Sequence, residues 1–534
     1  MIWHIFKKDW RLMGPYAAGL AALHFSLMAA LLRIGRFRAA PISSWIGPGG
    51  IAPLEADHTL YTLTNVFPIL SYLATALLIA VIVQQDAIPG VRQDWLVRPI
   101  HRRDLFLAKL VAVLVMALAP IFAADLLGAL LNGFPPGQSM DAALGRSIWL
   151  WFSLFLVVFA LASLTKNLME AVVGATALTG AYFVLQAWRS YNPTAQMFFV
   201  HGQVDWIDRL IRLGIVCIGA AVLLSLQYAL RKTFVSRLLM VGFFLLLLLV
   251  PSVPWQTAFA LEERLSKNPA AGNAVTISFV RDRATPEDRP VGPLPYDRSD
   301  ASVMLPVRAM GVPDGAILYG ESSTARIITQ DGQTQMNEGQ ARLQMGIPTR
   351  GGERPDSGKP FTYVLRVPRG LYSRIADQPV RLEIDYYLTL LKVADTQTLP
   401  ALGGDQRSRD LGWCGTKVSD AGGELLVGCV SAAAPPGCAS MVLEYKPTGA
   451  QNPPNGICVR PDYSPFPRGF GPDALNRFTE RLPFGNPTGV DQYPVKEPML
   501  PESQVKVTMY QAEDHFEREL TIPQIRLREW VAAE

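Results

Sequence analysis

Residues 237–254 read RLLMVGFFLLLLLVPSVP and divide the 534-residue chain into two unlike halves. Before Pro254 the sequence is a series of apolar runs. After it comes a region rich in Pro, Gly, Asp, Arg and Gln, without an apolar run long enough to cross a membrane. Hydrophobic residues make up 50% of the chain and charged residues 18%, below the roughly 25% typical of soluble proteins. The sequence therefore predicts a membrane protein with a soluble C-terminal half.

Seven apolar runs account for the first half, and most reach the roughly 20 residues that a helix needs to cross the hydrocarbon core. Only Thr165, Lys166 and Asn167 separate the fourth run from the fifth, which predicts a tight helical hairpin. The last run is short, but its leucines and the prolines that follow favour a seventh helix. We predict an α-helical polytopic membrane bundle of about seven transmembrane helices over residues 15–254, with runs near 15–34, 62–84, 107–131, 147–165, 168–188, 210–230 and 237–254.

Residues 1–14 precede these runs and have two unlike faces. Large apolar side chains recur at helical spacing on one face, and basic side chains occupy the other. This pattern predicts an amphipathic helix that lies in the headgroup layer and ends at Gly14-Pro15. The apolar face holds Trp3, Phe6, Trp10 and Met13, and the basic face holds His4, Lys7, Lys8 and Arg11.

Lys and Arg in the short loops predict the orientation, because these residues are enriched on the cytoplasmic side of membrane proteins. With the N-terminus inside, the inner loops hold twelve of them and the outer loops seven. Seven crossings then leave the residues after Pro254 outside. We expect a multi-pass protein of the inner or plasma membrane, surrounded by the lipid bilayer, with a cytoplasmic N-terminus and an extracytoplasmic C-terminal domain.

Cysteine placement agrees with that orientation. Four of the five cysteines, Cys414, Cys429, Cys438 and Cys458, lie after Pro254, and an even number in an exported domain predicts two disulfides. The spacing leaves all three pairings open. A zinc site is the weaker alternative, because the four lack a Cys-x-x-Cys pair and have no histidine among them.

The second half has the pattern of strands. Apolar, β-branched and aromatic residues alternate with polar ones, and turn residues recur at short intervals. We predict an all-β, sandwich-like extracytoplasmic domain over residues 255–534, with an irregular stretch from Pro453 to Pro501. The domain is either one module or two modules that meet near 395–405. The predicted strands are Val275–Val280, Thr324–Ile328, Phe361–Val367, Val380–Leu391, Val505–Tyr510 and Glu517–Arg528.

A charged residue inside an apolar run is a candidate for function. Asp125 lies within the third run, nearer its outer end. A carboxylate in hydrocarbon is costly and usually faces a cavity or a partner. Asp125 therefore lines a substrate path, or else the span ends early and Asp125 sits among the headgroups.

The loop between the second and third runs is the most informative segment of the bundle. Residues 85–109 read QDAIPGVRQDWLVRPIHRRDLFLAK. They combine a turn at Pro89-Gly90, an amphipathic patch around Trp95, and a basic helix that begins at Pro99 and runs into the third span. Such a loop can lie on the membrane surface and present charge to a cytosolic partner. The alternative is an ordinary basic cytoplasmic loop.

This loop resembles the cytoplasmic loop of the type-2 family of ABC transporter permeases. In that family an acidic residue follows the second span, a glycine lies shortly after, and a Pro-x-x-Arg segment with a later lysine leads into the third span. The amphipathic start and the tight hairpin before the fifth span also resemble the family. The matching positions are Asp86, Gly90, Pro99, Arg102 and Lys109, with Trp95, Arg98 and Arg103 in the same run.

The resemblance covers roughly the first 230 residues and implies a mechanism. In the family this loop carries the coupling helix that docks onto a nucleotide-binding subunit, and two permease halves form the translocation path. The implied partners are thus a cytoplasmic ABC ATPase, which binds the ATP, and a second permease copy or homologue. The chain departs from the family in its seventh span and its large exported domain.

Motifs for other activities are missing from the sequence. Residues 352–360 read GERPDSGKP and are the nearest match to a phosphate-binding loop. Five residues separate the two glycines, where that loop has four. Pro360 stands where a Ser or Thr would contact Mg²⁺. The chain has neither His-Glu-x-x-His nor Gly-x-Ser-x-Gly. We therefore expect no enzyme activity and no cofactor in this chain itself.

Two functions follow from these observations. The first is a permease subunit of an ATP-driven ABC-type exporter, coupled through residues 86–106 to a separate ATPase. The second is a membrane-anchored binding or sensing protein in which the β-rich half carries the function. A nucleic-acid partner is not expected, because the net charge is only +4 and basic residues are not interleaved with aromatic ones in a patch.

Overall fold

The structure is a computed structural model of the 534-residue chain. It describes residues 1–34, 58–86, 101–191, 205–249, 253, 255–281, 300–332, 334–337, 361–403, 405–408, 412–418, 423–432, 438–451, 455–458, 473–484 and 495–531.

The described part of the first half is helical. Six helices are long and apolar enough to cross a membrane, so the chain is a multi-pass membrane protein. Large side chains such as Leu73, Phe183 and Leu238 are more than half exposed on the outside of the bundle, where a bilayer would cover them. The helices are α1 (Ile2–Ile34), α2 (His58–Gln84), α3 (Arg102–Val113), α4 (Ala119–Leu131), α5 (Pro136–Leu150), α6 (Leu156–Leu164), α7 (Leu168–Tyr191), α8 (Asp205–Ser225) and α9 (Thr233–Leu249).

Three short π-helical segments join or extend these helices. Leu114–Leu118 connects α3 to α4, Trp151–Phe155 connects α5 to α6, and Leu226–Leu230 extends α8. The first two make each pair one continuous rod, which crosses the bundle as a single span. Such segments widen a helix locally and recur near functional sites.

The prediction that Gly14-Pro15 ends the first helix is wrong. Helix α1 continues through Pro15 to Ile34 and is 33 residues long. In an apolar environment a helix keeps its backbone groups bonded within itself, and neighbouring structure tolerates a proline there. The amphipathic residues are therefore the first turns of the first span.

The predicted hairpin between the fourth and fifth runs is confirmed. Helix α6 ends at Leu164, α7 begins at Leu168, and Asn167 caps α7 by accepting a hydrogen bond from the Glu170 N–H at 2.9 Å. Arg237 of α9 donates to the Leu164 carbonyl and to Glu170 Oε1, at 2.8 and 2.6 Å. This contact fixes the start of α9, an apolar helix of 17 residues. A full seventh crossing stays a prediction.

The second half is rich in β-structure. After helix α10 (Trp255–Arg264), its strands form three sheets, with orders β1-β2-β5, β11-β10-β14-β6-β3-β4 and β13-β9-β8-β7, and β12 pairs with β10. Helix α11 (Arg369–Ile375) lies between two strands. The strands are β1 (Thr276–Phe279), β2 (Asp300–Met310), β3 (Ala316–Ile328), β4 (Thr334–Asn337), β5 (Phe361–Pro368), β6 (Pro379–Pro400), β7 (Gln406–Ser408), β8 (Gly412–Val418), β9 (Glu424–Ser431), β10 (Cys438–Tyr445), β11 (Ala450–Gln451), β12 (Asn455–Cys458), β13 (Asn476–Pro483) and β14 (Ser503–Arg526).

Each predicted strand overlaps an observed one, but two of them belong to a single strand. Val505–Tyr510 and most of Glu517–Arg528 belong to β14, which is 24 residues long and pairs along its length with β6. Bulges near Tyr510 and Asp514 shift the alternation of inward and outward side chains. The sequence pattern is therefore interrupted there, although the strand continues. The stretch from Pro453 to Pro501 is also less irregular than predicted, because it holds β12 and β13.

Two hydrophobic cores lie along the long β6–β14 pair. One contains Leu305, Leu365 and Leu388, from the β1-β2-β5 sheet and the first part of β6. The other contains Val427 and Leu482, from the β13-β9-β8-β7 sheet, with the end of β6 and the start of β14. Because β6 runs without a break to Pro400, the two cores share one ladder of strands. A division into modules near 395–405 stays a prediction.

The β-rich half packs directly on one end of the bundle. Ala129 of α4 and Phe134 share a small apolar cluster with Val430 of β9 and with Leu475. We call this the domain end of the bundle, and the opposite end, where α2 stops and α3 begins, the loop end. Gly412 makes the approach possible, since its φ is +76° and a Cβ there would lie 2.2 Å from the Val430 carbonyl and 3.1 Å from the Phe134 ring.

One disulfide joins Cys414 of β8 to Cys429 of β9. This bond confirms a disulfide in the C-terminal half and excludes a zinc site that uses all four cysteines as thiolates. The backbone register pairs Cys438 of β10 with Cys458 of β12 directly across the two antiparallel strands. Directly opposed residues have Cα atoms about 4.5–5.5 Å apart, within the range that a disulfide spans.

We therefore predict that Cys438 and Cys458 form the second disulfide. Proteolysis of the unreduced protein should release a peptide pair containing Cys414 and Cys429 and another containing Cys438 and Cys458, both detected by mass spectrometry. Cys217, a free cysteine of α8, is the internal control and should be alkylated without reduction. Alkylation of Cys438 and Cys458 to the extent seen for Cys217 would exclude the bond.

Candidate functional site

The structure describes part of the loop that the sequence singled out. Asp86, Arg102, Arg103 and Lys109 are described, whereas Gly90, Trp95, Arg98 and Pro99 lie outside the described residues. Asp86 directly follows α2, and Arg102 begins α3. The described residues thus form the two ends of the loop, where it joins the bundle.

An ionic cluster connects these two ends. Lys109 Nζ lies 2.8 Å from Asp86 Oδ2 and 2.9 Å from Asp9 Oδ2 of α1. Lys8 Nζ lies 2.6 Å from Asp86 Oδ1. Lys109 is 1% exposed and Asp9 is 0% exposed, so the centre of the cluster is inside the bundle. We call Lys8, Asp9, Asp86 and Lys109 the loop-end cluster.

In the loop-end cluster each charged group contacts a group of opposite charge. These contacts offset the free-energy cost of burying the charges. A buried ion is costly unless an opposite charge and hydrogen bonds replace its water. Burial by itself raises the pKa of Asp86, but Lys109 and Lys8 outweigh that effect and hold the pKa below its ordinary value. Asp86 therefore stays ionised at neutral pH and accepts hydrogen bonds from both lysines.

The cluster fastens three helices at one point. Asp9 and Lys8 belong to α1, Asp86 follows α2, and Lys109 belongs to α3. Sequence analysis identified Asp86 and Lys109 but missed Asp9. The available signal was one carboxylate inside the basic segment KKDWR of residues 7–11, where it needs a cationic partner.

The two arginines at the start of α3 have different surroundings. Arg102 Nη1 donates to the Ala229 carbonyl at 2.5 Å, in the last turn of the segment that extends α8. The chain turns just there, because Arg231 adopts a left-handed conformation with φ of 56°. Arg102 thus satisfies a carbonyl that the helix end leaves without a partner. Arg103 is exposed.

A cavity of about 700 Å³ opens beside these arginines. It lies between α3, α8 and the α5–α6 rod, and two of the π-helical segments contribute to its wall. Its lining is almost wholly apolar and aromatic, with Arg102 and Arg103 at one end. The wall residues include Phe106, Leu110, Trp151, Phe159, Cys217, Leu224 and Tyr228.

Asp125 lies at the domain end and is buried. It forms an ion pair with Arg146 of α5, and Arg146 Nη2 donates to the Tyr72 hydroxyl at 2.6 Å. Arg146 was one of the seven residues that the sequence analysis counted in the outer loops, and the pair was missed. The signal was available, because a carboxylate in a span requires a partner and Arg146 is in the next apolar helix. The role of Asp125 in lining a substrate path stays a prediction.

The β-rich half contributes a carboxylate next to this pair. Asp473 lines the same small recess as Asp125 and Arg146. It also binds Arg477 through two parallel hydrogen bonds of 2.6 Å. Burial alone raises the pKa of Asp473, but Arg477 and then Arg146 outweigh it and keep the pKa below its ordinary value of 3.8. The domain end therefore joins bundle and β-structure by charge as well as by apolar contact.

The loop-end cluster and the contact with β9 lie at opposite ends of one rod. Lys109 and Leu131 are separated by 22 residues of α3, the π-helical segment and α4, or about 33 Å at a rise of about 1.5 Å per residue. That length matches the roughly 30 Å hydrocarbon core of a bilayer. The loop-end cluster and the contacts with β9 thus lie at opposite ends of a rod about as long as the hydrocarbon core is thick.

No protein-family model, curated protein or solved structure matches the chain.

Replacing Lys109 by Met should strongly destabilise the bundle. It removes the buried cation and leaves Asp9 with only Lys8 Nζ, 3.9 Å from its Oδ1. Removal of one partner of a buried ion pair costs about 3–5 kcal/mol. The midpoint of thermal unfolding in detergent should fall markedly. In the double variant D9N/K109M much of the loss should be recovered, because the buried carboxylate is gone as well.

Lys7→Met is the matched control, since Lys7 is an exposed lysine that directly precedes Lys8 and is not part of the cluster. Its unfolding midpoint should stay close to that of the wild type. Equal midpoints for Lys7→Met and Lys109→Met would contradict a structural role for the buried pair.

The Asp473–Arg477 pair should make stability depend on pH in acid. The pKa of Asp473 is lowered in the folded state, so its contribution is complete above the ordinary carboxyl pKa and is lost as the pH falls through the lowered value. The difference in unfolding midpoint between wild type and Asp473→Asn should be largest near neutral pH and shrink below about pH 5. Asp377→Asn, in the exposed Arg528–Asp377 pair, is the control and should show little difference at any pH. A pH-independent difference for Asp473→Asn would contradict the assignment.

Proposed function

We propose that the chain is the permease subunit of an ATP-driven exporter of the ABC type, coupled through residues 86–106 to a separate ATPase subunit. The observation that carries the proposal is the contact between Asp86 and Lys109. These are the acidic and basic positions at the two ends of the loop that resembles the type-2 permeases, and they bind one another directly.

A fixed loop base is what coupling requires. A loop that transmits force must be anchored, because otherwise a partner would move the loop without moving the helices. Here the base is bound to α1, α2 and α3 through the loop-end cluster. A displacement of the loop by a docked ATPase would thus shift three helices together.

The cavity beside Arg102 supports a transport role. Its volume suits the apolar part of an amphipathic cargo, and its two arginines suit an anionic head. Helix α3 forms one wall of the cavity and also carries Lys109, so movement at the loop base would change the shape of the cavity. We propose this cavity as part of the cargo path, with a second permease copy completing it.

The proposed orientation places the loop end in the cytoplasm and the β-rich half outside, in the inner or plasma membrane. The disulfide between Cys414 and Cys429 favours an oxidising compartment for that half. The excess of Lys and Arg in the loops at the other end supports a cytoplasmic location for them. The sheets that share each core are proposed to form a sandwich-like domain that binds cargo or an outer partner.

Association with an ATPase tests the proposal. The tagged chain, purified in mild detergent from its native membrane, should retain a subunit that carries a Walker A motif. Arg98→Ala, Pro99→Ala and Arg102→Ala should each abolish that association while insertion into the membrane remains normal. Lys166→Ala, an exposed residue in the hairpin loop at the same end, is the control and should retain the subunit.

The alternative function makes the opposite prediction. A membrane-anchored binding or sensing protein would have no ATPase partner, and its bundle would serve only as an anchor. Retention of the same ATPase by all three loop variants would exclude the coupling role, and the absence of an ATPase from the wild-type complex would favour the alternative.

A further inference from the structure

A polar cluster is buried where the membrane half joins the β-rich half. Glu262 lies on α10, which follows the last apolar helix, Glu321 lies on β3, and His515 lies on β14. One ligand atom from each of the three side chains lies within 4.8 Å of the other two. Each residue is at most 6% exposed. Three elements that are distant in sequence thus bring two carboxylates and an imidazole to one buried point.

The backbone is irregular at the cluster. In the pairing of β3 with β6, the register shifts between Gly320 and Ser322, and Glu321 is the extra residue. A second bulge, between Ala512 and Asp514 of β14, comes just before His515. Bulges re-aim side chains and are over-represented next to functional sites. Here they surround the residues that converge.

Thr389 of β6 holds the ligands in place. It lies directly across from His515 in the ladder and is fully buried. Its hydroxyl donates to Glu321 Oε1, and Thr389 Oγ1 lies 2.9 Å from His515 Nδ1. A hydroxyl has one proton, so the second bond takes its proton from Nδ1. In a neutral ring this bond selects the Nδ1–H tautomer, which leaves the Nε2 lone pair for a metal.

The charges of the cluster match a divalent cation. With both glutamates ionised and the histidine neutral, the cluster would carry two negative charges, which a divalent cation would balance. Carboxylate and imidazole donors suit Zn²⁺ and Mn²⁺. The bonds from zinc to such ligands are about 2.0–2.2 Å long. One ligand atom from each residue lies within 4.8 Å of the other two, so the donors already surround one point.

We propose that Glu262, Glu321 and His515 bind a divalent first-row transition-metal ion, with Zn²⁺ as the best match to the donor set. The ion fastens α10 to the face of the β14-β6-β3 sheet on which Phe259 of α10 already packs against Tyr387. It thereby fixes the joint between the bundle and the β-rich half. This inference does not depend on the transport function.

Metal analysis of the full-length chain tests the site. The protein is purified in detergent without a polyhistidine tag, stripped with a chelator, incubated with ZnCl₂ or MnCl₂, and desalted before elemental analysis. The wild type should retain one tightly held ion per chain. Glu321→Gln and His515→Gln should lose it, whereas Glu519→Gln, an exposed glutamate on the same strand, should retain it. Thr389→Val should weaken the affinity roughly 10- to 100-fold, because it removes the bonds that orient two ligands.

Folding is checked independently of the metal. Each variant should elute as the wild type does and keep the Cys414–Cys429 disulfide. Zn²⁺ should raise the unfolding midpoint of the wild type and of Glu519→Gln but not that of Glu321→Gln. A wild-type chain that retains neither metal overturns the proposal and makes the cluster a metal-free hydrogen-bond network. Equal metal in the wild type, Glu321→Gln and His515→Gln also overturns it, because the ions then bind elsewhere.

Discussion

The buried charge of Lys109 constrains the whole loop end of the bundle. A lysine that is 1% exposed requires carboxylates within reach, and Asp9 and Asp86 supply them from two other segments. The three helices are consequently held in one arrangement at the point where the loop leaves them. The packing of aromatic residues around the neighbouring cavity, such as Phe106 against Tyr228, depends on that arrangement because Phe106 is one turn before Lys109.

The β-rich half depends on a different constraint, the length of the β6–β14 pair. These two strands supply residues to both hydrophobic cores, and β6 also pairs with β3. The pair places β14 against α10 and the residues that follow it. There, Ser266 Oγ accepts a hydrogen bond from the His515 N–H at 2.9 Å. A strand long enough to serve both cores therefore also forms the surface on which the connection from the membrane rests.

Much of the fold was predictable from local patterns, and two predictions failed for different reasons. Apolar runs predicted the spans, and β-branched alternation predicted parts of β1, β3, β5, β6 and β14. The predicted stop at Gly14-Pro15 failed because local propensity favours a break that an apolar environment overrides. The predicted gap inside β14 failed because bulges shift the alternation without ending the strand.

The sequence by itself determined the two-part organisation and the helical hairpin at residues 165–167, because both are encoded by hydrophobicity and by position along the chain. Only the tertiary structure decided which charges meet. Asp9 contacts Lys109, which is 100 residues away in sequence. Asp125 contacts Arg146, and His515 contacts Glu321 across nearly 200 residues. Burial sets the cost of an unpaired charge, but the partner is chosen by how helices and strands pack, and that choice leaves no local pattern in the sequence.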